Sequence, residues 1–203
     1  TEVSNKKLSA IVQPAVELLA AIPSVIYGLL GLMILNPIMY KLEKYFFEGS
    51  TTHQFTGGSN LLAAIIVLAI MILPTVINMS VSAIKAVPQQ MRSASLALGA
   101  TKIQTIFKVT IPAAKSGIMT GIVLGIGRAI GETMAVIMVA GNQPRMPRGI
   151  FQGVRTLTAN IVIEMGYASG LHREALIATG VVLFVFILMI NLLFSVLKRR
   201  RTD

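Results

Sequence analysis

Arg128 and Glu132 stand four residues apart inside residues 116–141, a run with no other charge. Side chains at i and i+4 of a helix share a face, and a guanidinium is a planar fork whose donors match carboxylate or phosphate oxygens. A charge near the centre of a membrane helix costs roughly 2.5–3.5 kcal/mol on insertion scales, so it faces a partner or a watery path. Two readings fit. In one, Arg128 and Glu132 line a substrate path, and an arriving anion displaces Glu132 as the partner of Arg128. In the other, the pair only fastens neighbouring helices. Gly117, Gly121, Gly125 and Ala129 recur every fourth position, with Gly127 and Gly131 on a second narrow face, a spacing that lets membrane helices approach closely.

A second set of residues lies in 88–112. Pro88 suits the first position of a helix and Gly99 the residue just past its end. Between them lie Arg92, Ser93, Ala94 and Ser95. Thr101 suits the cap of a second short helix, with Ile103, Ile106 and Phe107 as its apolar face before Pro112. The basic, partly apolar pair of helices suits either a soluble partner or anionic lipid headgroups.

The elements that position these residues follow from composition. The chain has 203 residues, a formal net charge of +10, 54% apolar residues and only 13% charged ones, with mean hydropathy +0.76. Nucleic-acid binders carry a dense basic face on a polar surface, so no nucleic-acid partner is expected. Disordered chains are poor in apolar residues, which excludes disorder. With no Cys, thiolate metal sites and thiol nucleophiles are excluded. His53 and His172 are far apart in sequence, so no metal site is expected. No nucleophile–base set is visible either, so the chain is not expected to be an enzyme. The composition is that of a membrane protein.

A bilayer core takes about 20 helical residues to cross. Residues 18–40, 61–84, 116–141 and 175–197 meet that length. Pro23 and Pro74 mark kinks in the first two. Asn78, Ser80, Ser82 and Asn191 suit hydrogen bonds between helices. The segment 85–115 holds Lys85, Arg92, Lys102, Lys108 and Lys115 and no acid, and the chain ends on Lys198, Arg199, Arg200 and Arg201. Basic excess marks the cytoplasmic side, so both ends and 85–115 are expected inside, with 41–60 and 142–174 outside. The outer 41–60 carries the turn formers Gly49, Gly57 and Gly58. In 142–174, Val154, Leu157 and Ile161 have helical spacing and predict a short helix. The first apolar stretch is span-length, unlike a signal-peptide core.

The loop residues also carry a resemblance. Ser93-Ala94-Ser95-x3-Gly99-x9-Val109-x-Ile111-Pro112 resembles the EAA motif of ABC importer permeases, with Ser93 where that motif usually has Glu. Ile22 to Leu29, Gly127 to Val136, Val139 to Asn142, Thr156 to Asn160 and Glu164 to Ala168 are similar to the PstC family of phosphate-specific ABC importer permeases. The resemblance implies an all-α membrane protein, a type I ABC importer permease (MetI-like) bundle in the prokaryotic plasma membrane, with 1–203 as one transmembrane domain. It implies four of six spans, the missing pair being expected before Thr1. It also implies a second, PstA-like permease subunit, two PstB-like ATP-binding subunits, an extracytoplasmic phosphate-binding protein and contact with lipid.

On this resemblance Arg128, Glu132 and Thr133 belong to the substrate path, while Arg92, Ser93, Ala94, Ser95, Gly99 and Pro112 couple to the ATPase. The chain itself holds no cofactor on this reading. ATP is used by its partners, consistent with the lack of a Gly-x4-Gly-Lys-Ser/Thr loop here. The remaining alternatives are a permease for molybdate or sulfate, and a proton-coupled carrier that uses Arg128 and Glu132 as a relay.

Overall fold

The computed structural model of the chain describes residues 6–50 and 53–199. Arg200, Arg201 and Asp203 of the basic tail, Glu2, and Thr51 and Thr52 of the turn-rich segment lie outside the described residues. Among the described residues the elements are helices, joined by one isolated backbone bridge between Gly141 and Val154.

Proline punctuates the first third. Helix α1 (Lys6–Ala21) stops before Pro23, which is extended at φ −59° and ψ 143°. A proline pushes the residue before it out of the helical region. A new helix then starts as α2 (Ser24–Leu30), passes through a π-helical turn (Gly31–Leu35) and continues as α3 (Asn36–Phe47). The apolar helix is thus Ser24–Phe47 rather than 18–40. Pro23 moves its start, and its end passes Lys41 because Glu43 in the last turns is fully buried and hydrogen bonded. Pro37 follows the π turn, and Pro112 follows a second one (Ile106–Thr110). A proline ring inside a helix clashes with the carbonyl four residues back and leaves it unbonded; a widened turn just upstream accommodates both effects.

Helix α4 (Leu61–Lys85) ends one residue beyond the expected span and contains Pro74. Two short helices follow, α5 (Gln89–Ala97) and α6 (Lys102–Thr105), and the second π turn leads directly into α7 (Ile111–Gly131). The continuous apolar helix therefore starts inside the expected loop and runs Lys102–Gly131. At its other end it stops at Gly131 instead of continuing to 141; α8 (Met134–Val139) begins after a two-residue break. The short helix expected in 142–174 is α9 (Leu157–Glu164), capped by the Thr156 hydroxyl accepting from Ala159 N–H at 3.2 Å. It includes Leu157 and Ile161, whereas Val154 pairs with Gly141 instead. Helix α10 (Gly170–Arg199) completes the described chain. Among the described residues four helices are long and apolar enough to cross a membrane.

Residue contacts gather the chain into two units. One comprises 1–21, 72–128 and 191–203. In it the glycine stripe of α7 lies against α4. A methyl group added at Gly117 would run into the Ala83 side chain, one at Gly121 would come within 2.7 Å of Met79 Cβ, and one at Gly125 within 2.9 Å of Val76 Cγ2. Glycine in a helix interior costs about 1 kcal/mol relative to alanine; here it permits backbone approach that no larger residue allows.

The other unit comprises 22–71 and 129–190. Its core holds Ala63, Ala135, Val139, Ala140 and Ala159, none with any exposed surface. Gly28 of α2 abuts Ala135 and Met138 of α8, and Gly31 abuts Val139 and Val67. Below α3 the Glu43 carboxylate accepts from His53 Nε2 at 2.9 Å, from Thr56 N–H at 3.0 Å and from the Thr56 hydroxyl at 3.0 Å. The His53 ring lies flat on Phe47, with centroids 3.8 Å apart. A buried carboxylate is tolerated only with such hydrogen-bond satisfaction.

Candidate functional site

Arg128 sits in the last turn of α7 and is half-buried. Its Nη1 donates to the Thr75 hydroxyl at 3.3 Å. Thr75 immediately follows Pro74 in α4, and Pro74 is itself fully buried. The α4–α7 packing at the glycine stripe sets the separation across which the guanidinium reaches that hydroxyl. Among the described residues Thr75 is the hydrogen-bond partner of the Arg128 side chain, and a hydroxyl leaves the positive charge uncompensated.

Glu132 has a different role from the one its spacing predicts. The i,i+4 argument requires a helix through both residues, and α7 ends at Gly131. Glu132 lies in the break, where its carboxylate accepts from Ala135 N–H at 3.1 Å. It thereby satisfies one of the free amides at the start of α8. Its own carbonyl accepts from the Thr158 hydroxyl of α9 at 3.1 Å, and Thr158 is buried. Thr133 takes φ −125° and ψ −57°, outside the helical region, and its hydroxyl donates to Gly131 O at 3.2 Å. Arg128, Glu132 and Thr133 thus mark the end of one helix and the start of the next. A membrane helix broken in this way exposes backbone polar groups that a cavity or ligand can use.

Thr75 and Thr158 are absent from the sequence-derived set. A hydroxyl next to an intramembrane proline was a signal available for Thr75. Thr158 carried none, because its partner is a carbonyl 26 positions away in the chain.

The second set lies on α5 and α6. Helix α5 has no buried residue; Ser93 and Ala94 are exposed, as is Pro112 in the first turn of α7. Arg92 Nη2 donates to Ile84 O at 2.6 Å, placing a cation on the carbonyl end of α4. Ser95 Oγ and Thr105 Oγ1 are 3.0 Å apart and hold α5 to α6. Thr101 and Gln104 form a reciprocal capping box. Gly99 takes φ +84° with open space around it. Leu96, Leu98, Ile103 and Phe107 are exposed, Leu98 by 90%, whereas Ile106 is buried. The expected apolar face is therefore divided, Ile106 turning into the unit and its neighbours outward.

In the segment after α8, Arg155 organises a polar network. Its Nε donates to Asn142 O at 3.0 Å and its Nη1 to Glu164 Oε1 at 2.7 Å. The Tyr167 hydroxyl donates to Glu164 Oε2 at 2.5 Å. That bond, followed by the Arg155 guanidinium, holds the Glu164 carboxyl below its usual range, and it pushes the Tyr167 hydroxyl up.

Residues 2–203 match the family described as Binding-protein-dependent transport system inner membrane component. The chain is 41% identical over 203 residues to "Probable ABC transporter permease protein YqgH" of Bacillus subtilis (strain 168), covering 99% of this chain and 62% of that protein. It is 37% identical over 194 residues to "Phosphate transport system permease protein PstC" of Pasteurella multocida (strain Pm70), covering 91% of this chain and 61% of the relative. The similarity to "Phosphate transport system permease protein PstC 2" of Mycobacterium tuberculosis (strain ATCC 25618 / H37Rv) is 32% over 203 residues, covering 94% and 62%. The chain thus spans about three fifths of the length of these curated relatives. No solved structure matches it. The all-helical fold, the four apolar helices and the match along almost the whole sequence agree: the chain belongs to the inner membrane components of binding-protein-dependent transport systems.

Proposed function

We propose that this chain is part of the translocation path of an ATP-driven importer of phosphate in the prokaryotic plasma membrane. The observation that carries the reading is Arg128, a half-buried cation at a helix break whose partner is a neutral hydroxyl. A tetrahedral oxyanion supplies the missing charge and accepts from the guanidinium fork. The relatives whose names include phosphate transport support phosphate as the anion. On this reading the partners are a second permease subunit, two cytoplasmic ATP-binding subunits and an extracytoplasmic phosphate-binding protein. This chain holds no cofactor, and both of its ends are cytoplasmic.

Coupling runs through the unit that contains Arg128. Movement of α5 and α6 under the ATP-binding subunits reaches α4 through Arg92 on Ile84 O. Helix α4 carries Thr75 and packs on α7 at the glycine stripe, so the two helices and Arg128 move together. Arg128 attracts the anion; Thr133 and the backbone at the break offer further polar contacts; Glu132 opposes the anion's charge and eases release.

Binding-protein-dependent uptake into vesicles holding the assembled complex tests this reading. Phosphate is expected to accumulate with ATP inside, at rates well above those of molybdate or sulfate. Uptake of another oxyanion in preference to phosphate would overturn the substrate. Uptake driven by a proton gradient without ATP would overturn the mechanism in favour of a carrier.

A further inference from the structure

A cleft of about 540 Å³ opens between Gln54 and the segment holding Arg145, Met146, Pro147, Arg148 and Gln152. The side-chain polar groups left over in its lining are donors. Arg145 Nη2 donates to Gln54 Oε1 at 2.8 Å, and Arg145 Nε donates to Gln143 Oε1 at 2.9 Å. Arg148 N–H donates to Gln152 Oε1 at 2.7 Å. Guanidinium and backbone N–H groups only donate, so both lining amides must turn their oxygens to these partners. That leaves the Nε2 groups of Gln54 and Gln152, the remaining N–H groups of Arg145 and the Arg148 guanidinium without acceptors among the described residues. No carboxylate lines the cleft.

We propose that this cleft binds a phosphate-class oxyanion at Arg145 and Arg148, with the Gln54 and Gln152 amides as secondary donors. Two guanidinium groups and two amide donors match an anion that carries several acceptor oxygens. The cleft is wider than one free phosphate, so the same chemistry admits inorganic phosphate or the phosphate of an anionic lipid headgroup. The oxyanion-import reading enters only in the choice of inorganic phosphate as a probe. The donor arrangement does not use Arg128.

The test uses the protein with its co-purifying subunits in phosphatidylcholine nanodiscs, titrated with radiolabelled inorganic phosphate by equilibrium dialysis without binding protein. A parallel preparation contains phosphatidylglycerol, and retained lipid is counted per protein. Arg148→Gln removes a guanidinium with no hydrogen bond among the described residues, so the fold is expected to be unaffected; the predicted loss of phosphate affinity is about tenfold. Arg145→Gln combined with it abolishes the cleft component of phosphate binding and leaves any component that depends on Arg128, while Arg128→Gln leaves the cleft component in place. Unchanged phosphate binding with loss of retained phosphatidylglycerol in the same two variants assigns the site to a lipid headgroup. If neither ligand responds to Arg148→Gln, the proposal is overturned. If phosphate binding is lost in Arg128→Gln and retained in the double variant, the cleft proposal fails while the import reading stands.

Discussion

Gly58 and Gly99 share one backbone conformation, φ +85° and +84°, in opposite surroundings. Gly58 closes the turn after α3 with no room for a side chain: a methyl group there would run into Asn36 O, with Tyr40 N 2.9 Å away. Around it Asn36 Nδ2 donates to Ser59 Oγ at 2.8 Å, and Glu43 gathers His53 and Thr56. Gly99 closes the turn after α5 with nothing within 4 Å of an added methyl group, between helices whose apolar side chains face outward. The first turn is fixed by its neighbours. The second keeps its shape through backbone conformation and local caps, and its surface stays open. The difference separates a turn enclosed by its neighbours from an open one, proposed above to couple to the ATP-binding subunits, by surroundings that the shared φ does not reveal.

Breaking the enclosed turn has the largest expected effect. Gly58→Ala combines a left-handed backbone, costing about 1–2 kcal/mol for an L-residue, with a clash against backbone that has no rotamer to escape into. A total of about 3 kcal/mol or more is expected, visible as a clearly lower melting temperature of the purified protein. Gly99→Val adds only the backbone term, about 1–2 kcal/mol, yet it distorts the turn proposed to couple to the ATP-binding subunits. It should leave assembly in place and raise the ATP hydrolysed per phosphate imported. Unchanged coupling in Gly99→Val would remove the functional half of the comparison.

The break between α7 and α8 supplies a smaller perturbation. Thr158→Val removes the hydroxyl that holds Glu132 O and is expected to cost about 1 kcal/mol. A melting temperature equal to that of the parent would show that α9 does not hold the break.

The smallest effect is set by pH at Glu164. Its depressed carboxyl contributes stability fully present above the ordinary carboxylate range near 4.5 and lost as pH falls through the lowered value. Tyr167→Phe removes the first cause of that depression, so the stability lost on acidification should be smaller in the variant, and its loss complete at a higher pH. Melting curves from about pH 3 to 6 measure this; coincident acid profiles would discount the Tyr167 bond.

What the sequence disclosed and what it concealed divide along the same line. Pro88, Gly99 and Thr101 act through local rules of helix starts, ends and caps, and α5 and α6 lie where those residues place them. The apolar runs likewise located four long helices, because length and hydropathy are local properties. Boundaries fixed by tertiary partners were illegible. Lys41 suggested an end to the first span, but burial of Glu43 against His53 and Thr56 carries α3 on to Phe47. Glu132 suggested an ion pair on a continuous helix, but its carboxylate caps α8. The Thr75 hydroxyl that meets Arg128 is 53 positions away, beyond the reach of any spacing rule.

The central claim, that Arg128 carries the oxyanion and is more than a helix fastener, is tested most directly by Arg128→Gln in the assembled complex. Initial rates of phosphate uptake are measured beside the recovery of every subunit after solubilisation. The account predicts a fully recovered complex in which uptake is abolished. A complex that falls apart would place Arg128 among the fasteners, and an intact complex importing phosphate at the parent rate would contradict the claim outright.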